Sequence, residues 1–493
     1  MFQFPKIIQG GMGVGVSNWR LAQAVSRVGQ LGVVSGTALD ALFVRRLTDG
    51  DLGGHMRRGL DAFPFPEMAK RIWQDYFVPG GKPVADSYPN MPMHQKRDSR
   101  KLIELCMVSN FVEVFLAKEG HDNPVGINYL EKVQIPHLPS IYGAMLAGVG
   151  YVLMGAGIPL HIPGVLDAFA AQHAAEYKLM VAGAAQGQVA DADTPMRLDP
   201  SEYAEGPLPV LTRPKFLAIV SSNTLATTML RRASGKVDGL VIESPTAGGH
   251  NAPPRGKLQL SETGEPVYGE RDQVNIADLR SLGVPFWLAG GYGSHEKLTE
   301  ALEQGATGIQ VGTVFAFSRE SGLRPDVKMQ LLRSARTASG QVFTDPLASP
   351  TGFPFKVAHV QGSSSSAAVY AERARVCDLG YLREAYVTPQ GALGYRCAAE
   401  PVATYIAKGG KEEETVGRKC LCNALLANVG YQQPRADGSI EPALVTVGDD
   451  LNTITQFLAP GHTAYSAAEV VEQLLNGNPH IAQSASVAHA VSA

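Results

Sequence analysis

The sequence predicts an α/β fold, namely a TIM (β/α)8 barrel with helical insertions and a C-terminal extension of helices and loops. Short apolar runs recur through the first 320 residues, and helix-like segments separate them. The runs are continuously apolar, as expected for parallel strands that are buried on both faces. The last two runs end in glycine, which is typical of the phosphate-binding end of such a barrel.

Eight strands can be assigned in order. They are PKIIQGG (5–11), LGVVSGT (31–37), NPVGINY (123–129), VGYVLMGAG (149–157), KFLAIVSS (215–222), VDGLVIES (237–244), VPFWLAGG (284–291) and ATGIQVGT (306–313). Their uneven spacing predicts insertions at about 41–122 and 160–213. The first insertion resembles amphipathic helices over one end of the barrel, and the second forms either a lid or a structural cap.

The chain divides by pattern into a barrel unit, 1–325, and a cysteine-containing extension, 326–493, whose last residues (IAQSASVAHAVSA) are expected to fray. With 43 Lys and Arg against 46 Asp and Glu, nothing suggests nucleic acid or a membrane as a partner. The apolar run 141–160 contains five glycines, so it is interpreted as a helix and a buried strand. The first residues lack a signal-peptide pattern, and we expect a cytoplasmic protein. The size of the appended segments suggests a homodimer.

Two kinds of glycine-rich turn follow the strands. QGGMGVGVS (9–17) has G-x-G-x-G spacing, and the next strand ends in Ser35-Gly36, so it departs from the Rossmann fingerprint. Its glycines are either a plain tight turn or a surface against which a planar ring lies. The pairs Gly290-Gly291 and Gly312-Thr313 follow the last two strands, where barrels commonly bind phosphate; the alternative is two ordinary βα turns.

His250 is the candidate catalytic residue. It follows the sixth strand in VIESPTAGGHNAPPRG (241–256), at the end of the barrel where active sites lie. Imidazole suits proton transfer near neutral pH, and the preceding Gly248 and Gly249 would leave room for a ligand. The alternative is a histidine satisfied by local hydrogen bonds.

Four of the five cysteines fall in the extension, at Cys377, Cys397, Cys420 and Cys422. They could converge on zinc or an iron–sulfur cluster, but no C-x-x-C motif occurs. Buried free thiols and a disulfide or redox pair are the other interpretations.

The motifs IIQGGMGVGVS, AGGHNAPPRG, WLAGGYGSHEKL and GATGIQVGTVFAFS, in this order, resemble the FMN-dependent nitronate monooxygenases (2-nitropropane dioxygenases) and their enoyl-reductase relatives. The resemblance implies FMN over the C-terminal mouth of the barrel and His250 as the catalytic histidine. It further implies FMN contacts from Gly11, Met12, Asn128, Ser222, Glu243, Gly248, Gly249, Gly290, Gly291, Gly312 and Thr313.

The same scaffold serves more than one reaction, so three functions stay open. The first is oxidation of a small alkyl nitronate with O2 to a carbonyl compound and nitrite. The second is reduction of an enoyl thioester, either free or held on a carrier protein, with NAD(P)H as reductant. The third is a non-catalytic flavin-binding scaffold. The long insertions and the extension depart from compact family members, and a cluster in the extension would let electrons enter the flavin from another protein.

Overall fold

The fold is a closed barrel of eight parallel strands. The computed structural model describes residues 4–183 and 195–477; the predicted fraying of 481–493 lies outside these ranges. Each strand pairs with its sequence neighbours, and the last pairs with the first. The strands are β1 Ile7–Gln9, β2 Leu31–Ser35, β3 Val125–Leu130, β4 Tyr151–Gly155, β5 Lys215–Val220, β6 Gly239–Glu243, β7 Phe286–Ala289 and β8 Gly308–Val311. The predicted barrel and all eight of its strands are confirmed.

The barrel interior is filled by alternate residues of these strands. Trp287 of β7 is its largest member, and its indole N–H donates to the carbonyl of Pro5 at 2.8 Å. The remaining members of this buried cluster are Ile8, Leu31, Val33, Tyr151, Leu153, Leu217, Val241 and Ala289. Since the interior is packed, any ligand must bind at one end of the barrel.

Helices surround the barrel, and several begin at a polar residue that caps them. The hydroxyl of Ser294, for example, accepts the backbone N–H of Lys297 at the start of the helix after β7. The helices that begin within residues 1–325 are α1 Trp19–Arg27, α2 Leu39–Thr48, α3 His55–Asp61, α4 Pro66–Tyr76, α5 Arg100–Lys118, α6 His137–Leu146, α7 Ile162–Ala170, α8 Asn223–Arg232, α9 Ile276–Ser281, α10 His295–Glu303, α11 Thr313–Ala316 and α12 Pro325–Arg336. Short 3-10 turns span Pro200–Glu202 and Glu270–Asp272.

The two insertions differ in structure. Helices α2 to α5 occupy the first. The second contains α7 and the strands Ala175–Tyr177 and Met196–Leu198, which pair with each other, while Val181–Ala182 pairs with a strand of the extension. The apolar run 141–160 forms the end of α6 and strand β4, as expected. None of the helices within the described ranges has the length and apolar character needed to cross a bilayer.

The extension contains short strands as well as the predicted helices and loops. Its strands are β9 Val342–Asp345, β10 Phe355–Ala358, β11 Glu384–Val387 and β12 Leu393–Arg396. Its helices are α13 Ala367–Glu372, α14 Val402–Ala407, α15 Leu421–Asn428 and α16 Ala467–Asn476, with 3-10 turns at Glu412–Thr415 and Asp449–Phe457. Strands β9 and β10 form an antiparallel pair, and β10 lies against the loop that carries His250.

Candidate functional site

A cavity of about 230 Å³ opens at the C-terminal ends of the barrel strands. The structure brings together around it most of the residues predicted for the site. These are Gly11, Met12, Asn128, Glu243, Gly248, Gly249, His250, Gly290, Gly291, Gly312 and Thr313. No described residue of the 160–213 insertion lines it, so a lid formed by that segment finds no support in this geometry.

Ser222 is the predicted contact that lies apart from the cavity lining. It is buried at the start of α8, where its hydroxyl accepts the backbone N–H of Leu225 at 3.2 Å. This is an N-cap, and it accounts for a serine after strand β5 without a ligand.

Two glycines at the cavity wall pack too closely against their neighbours to carry a side chain. A Cβ added to Gly11 would lie 2.3 Å from the Cβ of Asn128. A Cβ added to Gly290, whose φ is +89°, would lie 2.3 Å from the hydroxyl of Ser244. Glycine is therefore required at Gly11 for space and at Gly290 for both space and conformation.

The extension holds the loop that carries His250. The backbone N–H of Lys356 donates to the carbonyl of Gly249 at 2.9 Å, and the N–H of Gly249 donates to the hydroxyl of Thr446 at 2.7 Å. The N–H of Asn251 donates to the carbonyl of Pro354 at 2.9 Å. Residues about 100 and 200 positions later in the chain thus fix the backbone on both sides of the imidazole.

His250 is neutral in this environment. Burial, together with the nearby charge of Lys132, lowers its pKa to about 4. Its Nε2 lies 2.7 Å from the hydroxyl of Ser349, and its ring meets that of Phe355 edge to face at 4.9 Å between centroids. The imidazole can therefore exchange hydrogen bonds at neutral pH, but it is a weaker base than an ordinary histidine.

Glu243 ends strand β6 at the same cavity. Burial raises its pKa to about 8, because few neighbouring groups compensate a charge at this position. At neutral pH the side chain is therefore a carboxylic acid that can donate a hydrogen bond. A neutral acid and a neutral imidazole thus share one cavity.

The predicted phosphate end contains an acidic residue from the extension. The hydroxyl of Thr313 donates to the carboxylate of Asp450 at 2.7 Å and accepts the N–H of Gly448 at 3.0 Å. Burial raises the pKa of Asp450. The described residues that line the cavity include no Lys or Arg, so a phosphate here would depend on backbone N–H groups and hydroxyls.

The four cysteines of the extension come together around a second, small cavity. Cys422 also lines the first cavity, so it belongs to the wall that separates the two cavities. All four are free thiols, so the predicted alternative of a disulfide is not formed in this structure.

Several lining or supporting residues were missed in the sequence. Gln310 interrupts the apolar run of β8, and this polar residue within a buried strand was a usable signal. Ser349, Thr446 and Asp450 gave none, because they lie in loops distant in sequence from the motifs that they contact.

The residues present fit FMN. At Gly11 and Gly290 the cavity wall is backbone without a side chain, which a planar ring can approach closely. The Oε1 atom of Gln310 is buried without a hydrogen-bond partner and belongs to a cavity-lining residue, so it can accept from a ring N–H. The turns at Gly290-Gly291 and Gly312-Thr313 could hold the phosphate group. A negative charge on Asp450, which accepts from Thr313, would weaken phosphate binding there.

Residues 208–345 match the family model described as nitronate monooxygenase. The predicted resemblance is confirmed for this segment. It contains β5 to β8, His250 and both predicted phosphate turns.

A probable nitronate monooxygenase of Bacillus subtilis (strain 168) is 32% identical over 116 residues, which are 24% of this chain and 31% of that protein. The match thus spans about a third of the length of this relative.

Solved structures resemble the chain more distantly. FabK from Thermotoga maritima aligns with a TM-score of 0.44 and 16% identity, covering 97% of this chain and 94% of its own. A nitroalkane oxidase from Streptomyces ansochromogenes aligns with a TM-score of 0.46 and 14% identity, covering 98% and 97% of the two chains.

Proposed function

We propose that this protein is an FMN-dependent oxidoreductase that oxidises alkyl nitronates with O2 to a carbonyl compound and nitrite. The observation that carries the proposal is the neutral His250 at the wall of the glycine-lined cavity, within the segment that matches the nitronate monooxygenase family. The bound flavin would supply the redox chemistry, and the side chains would position the substrate.

A nitronate suits the electrostatics of this histidine. Nitronates are already deprotonated, so their oxidation requires no base with a pKa near 7. We assign Nε2 as the acceptor of the Ser349 hydroxyl proton, because in this tautomer Nδ1 keeps its proton and can donate to a nitronate oxygen. His250 therefore serves as a hydrogen-bond donor that orients an anionic substrate.

Glu243 favours a second candidate, reduction of an enoyl thioester with NAD(P)H. Such a reduction adds hydride to one carbon and a proton to its neighbour, so it needs an acid at neutral pH. The raised pKa of Glu243 keeps this proton available at the cavity. The substrate would then be a thioester, presented free or on a carrier protein.

The two candidates differ in the reductant that bleaches bound FMN. The purified protein is mixed without oxygen with NADH or NADPH, and separately with an alkyl nitronate, while the flavin absorbance is recorded. Bleaching by the nitronate, with nitrite released once O2 is admitted, supports the proposal. Bleaching only by the nicotinamide, with turnover of an enoyl thioester, supports the second candidate and overturns the first.

The His250→Ala variant separates both candidates from the flavin-binding scaffold. Under either enzymatic candidate we expect FMN to remain bound and turnover to fall. If the wild-type protein binds FMN but neither reductant bleaches it, the scaffold is favoured. Protein that binds no FMN would contradict all three.

A further inference from the structure

We propose that Cys377, Cys397, Cys420 and Cys422 bind an iron–sulfur cluster beside the flavin cavity. This site goes beyond the proposed function, which requires only FMN. It rests on the convergence of the four thiols, on the apolar residues that line the cavity with them and on the position of Cys422.

The four cysteines reach one cavity from three separate segments. Cys377 lies in the loop after α13, Cys397 directly follows β12, and Cys420 and Cys422 lie at the start of α15. Together they line a pocket whose other residues are mostly apolar, namely Pro350, Leu379, Gly380, Leu382, Ala399 and Leu421. Four thiolate ligands in an apolar shell are the usual coordination of [2Fe–2S] and [4Fe–4S] clusters.

Amide N–H groups face three of the sulfur atoms. The side-chain amide of Asn423 donates to the sulfur of Cys420 at 3.6 Å. The backbone N–H of Ala399 lies near Cys397, and that of Leu382 lies near Cys422. Such bonds stabilise a thiolate over a thiol and also tune cluster potentials.

Charged groups of both signs lie near the same cysteines. Arg373 lies near Cys420, and Arg383 lies near Cys377. The carboxylate of Glu441 also lies near Cys420, and those of Glu400 and Asp378 lie near Cys377. The surrounding charges therefore do not carry the proposal, which depends on the convergence of the four sulfur atoms.

A single zinc ion requires a closer set of sulfur ligands than a cluster does. Ligand sulfurs of tetrahedral zinc lie about 3.8 Å apart, given a Zn–S distance of about 2.3 Å. In the described parts of the chain, only Asp40, His94 and Cys106 bring three potential ligand atoms within 4.8 Å of one another. The extension cysteines therefore do not form a preorganised zinc site, and analysis for zinc, iron and sulfide distinguishes the two metals.

The cysteine cavity lies next to the cavity proposed for FMN, which is a position suited to electron transfer. Leu382, Leu421 and Cys422 line both cavities, so one layer of side chains separates them. Iron–sulfur clusters carry single electrons, whereas a flavin handles two. A cluster here would adjoin the cavity in which FMN is proposed to bind.

Asp40, His94 and Cys106 do not offer an equivalent site. Both ring nitrogens of His94 contact carboxylates, Asp40 at 2.9 Å and Asp98 at 2.6 Å, and the hydroxyl of Tyr381 donates to Asp40 at 2.6 Å. Burial opposes a charge on His94, but Cys106 and these carboxylates raise its pKa well above the usual value. The group is thus a satisfied buried ion-pair network, and its cysteine provides a control.

The test measures iron, acid-labile sulfide, zinc and FMN in the full-length protein purified without oxygen. We expect equal amounts of iron and sulfide, about two or about four of each per chain. After reduction with dithionite, the protein should give an electron paramagnetic resonance signal that the free flavin does not give. These readouts do not depend on turnover, so they stand apart from the test of the proposed function.

Variants assign the iron to these cysteines. Cys377→Ser and Cys397→Ser should each lower iron and sulfide at least fivefold and keep FMN at the wild-type level, since neither residue lines the flavin cavity. Cys106→Ser, which removes the other buried thiol, should leave the iron content unchanged. Should a variant fail to fold, the wild-type metal analysis still decides.

Three results would overturn the proposal. The first is zinc without sulfide in the wild-type protein. The second is neither iron nor sulfide, even after incubation with ferrous iron and sulfide under argon. The third is full iron content in both Cys377→Ser and Cys397→Ser.

Discussion

Replacement of Glu243 by glutamine tests the electrostatics of the cavity directly. Burial raises the pKa of this carboxyl from its ordinary value of 4.5 to about 8. Below about pH 4.5 the carboxyl is protonated in both the folded and the unfolded protein, so it costs no stability. Between about pH 4.5 and 8 the unfolded chain ionises while the folded protein keeps its proton, and stability falls as the pH rises.

The size of this effect follows from the shift. One pKa unit corresponds to about 1.4 kcal/mol, so at pH 7 the ionisable carboxyl destabilises the FMN-free protein by at most about 3 kcal/mol. At pH 5 the same penalty is less than about 1 kcal/mol. Glutamine has the same shape and no charge. Glu243→Gln should therefore be more stable than the wild type at pH 7 and nearly equal to it at pH 5.

Urea titrations of the FMN-free proteins at the two pH values measure the difference in free energy of unfolding. Glu303→Gln, at an exposed position near the end of α10, controls for the loss of one carboxylate elsewhere. A stability difference between Glu243→Gln and the wild type that is the same at pH 5 and pH 7 would refute the reasoning. It would mean that Glu243 is solvated or paired in the folded protein.

Four further predictions concern ligand binding and turnover. Gly11→Ala should abolish FMN binding because the added Cβ has no space, whereas Gly206→Ala, with no atom within 4 Å of its Cβ, should leave binding unchanged; equilibrium dialysis measures both. Asp450→Asn should bind FMN about tenfold more tightly, because it removes a negative charge near the phosphate turns. Riboflavin lacks the phosphate and serves as the control ligand. Unchanged FMN affinity, or an equal gain for riboflavin, would contradict this prediction. Because the pKa of His250 is about 4, the turnover rate should show no histidine titration near pH 6.5. Ser349→Ala should lower kcat about tenfold and leave FMN binding unchanged, because it removes the hydrogen bond to the imidazole. A kcat equal to the wild-type value would show that this bond does not position the imidazole.

The strands could be predicted because each carries its own local signal. An apolar run such as VDGLVIES requires burial on both faces, and the glycine that follows VPFWLA adopts a positive φ that favours glycine. The meeting of the strand-end residues at one cavity could therefore be predicted without knowledge of any long-range contact. Ser222 shows the limit of this reasoning, because a serine after a strand serves equally well as a helix cap.

The walls supplied by the extension could not be predicted in the same way. Ser349 and Thr446 lie in loops, and their contacts with the His250 segment depend on tertiary packing. The state of His250 was also beyond reach. Its type suggested a base near neutral pH, but the burial that lowers its pKa comes from neighbours such as Phe355, about 100 positions further along the chain.

The hydrogen bond from Gly249 to Thr446 joins residues 197 positions apart, so the two sides of the cavity are synthesised at different times. During synthesis at about 5 to 20 residues per second, the His250 loop would leave the ribosome on the order of 10 to 40 seconds before the segment that clamps it. All eight barrel strands are translated before Thr446 is, yet until Thr446 is in place the cavity lacks one side. Capture of the flavin would therefore mark a late stage of folding, and a chain broken off before Thr446 would present a barrel with an open, apolar mouth.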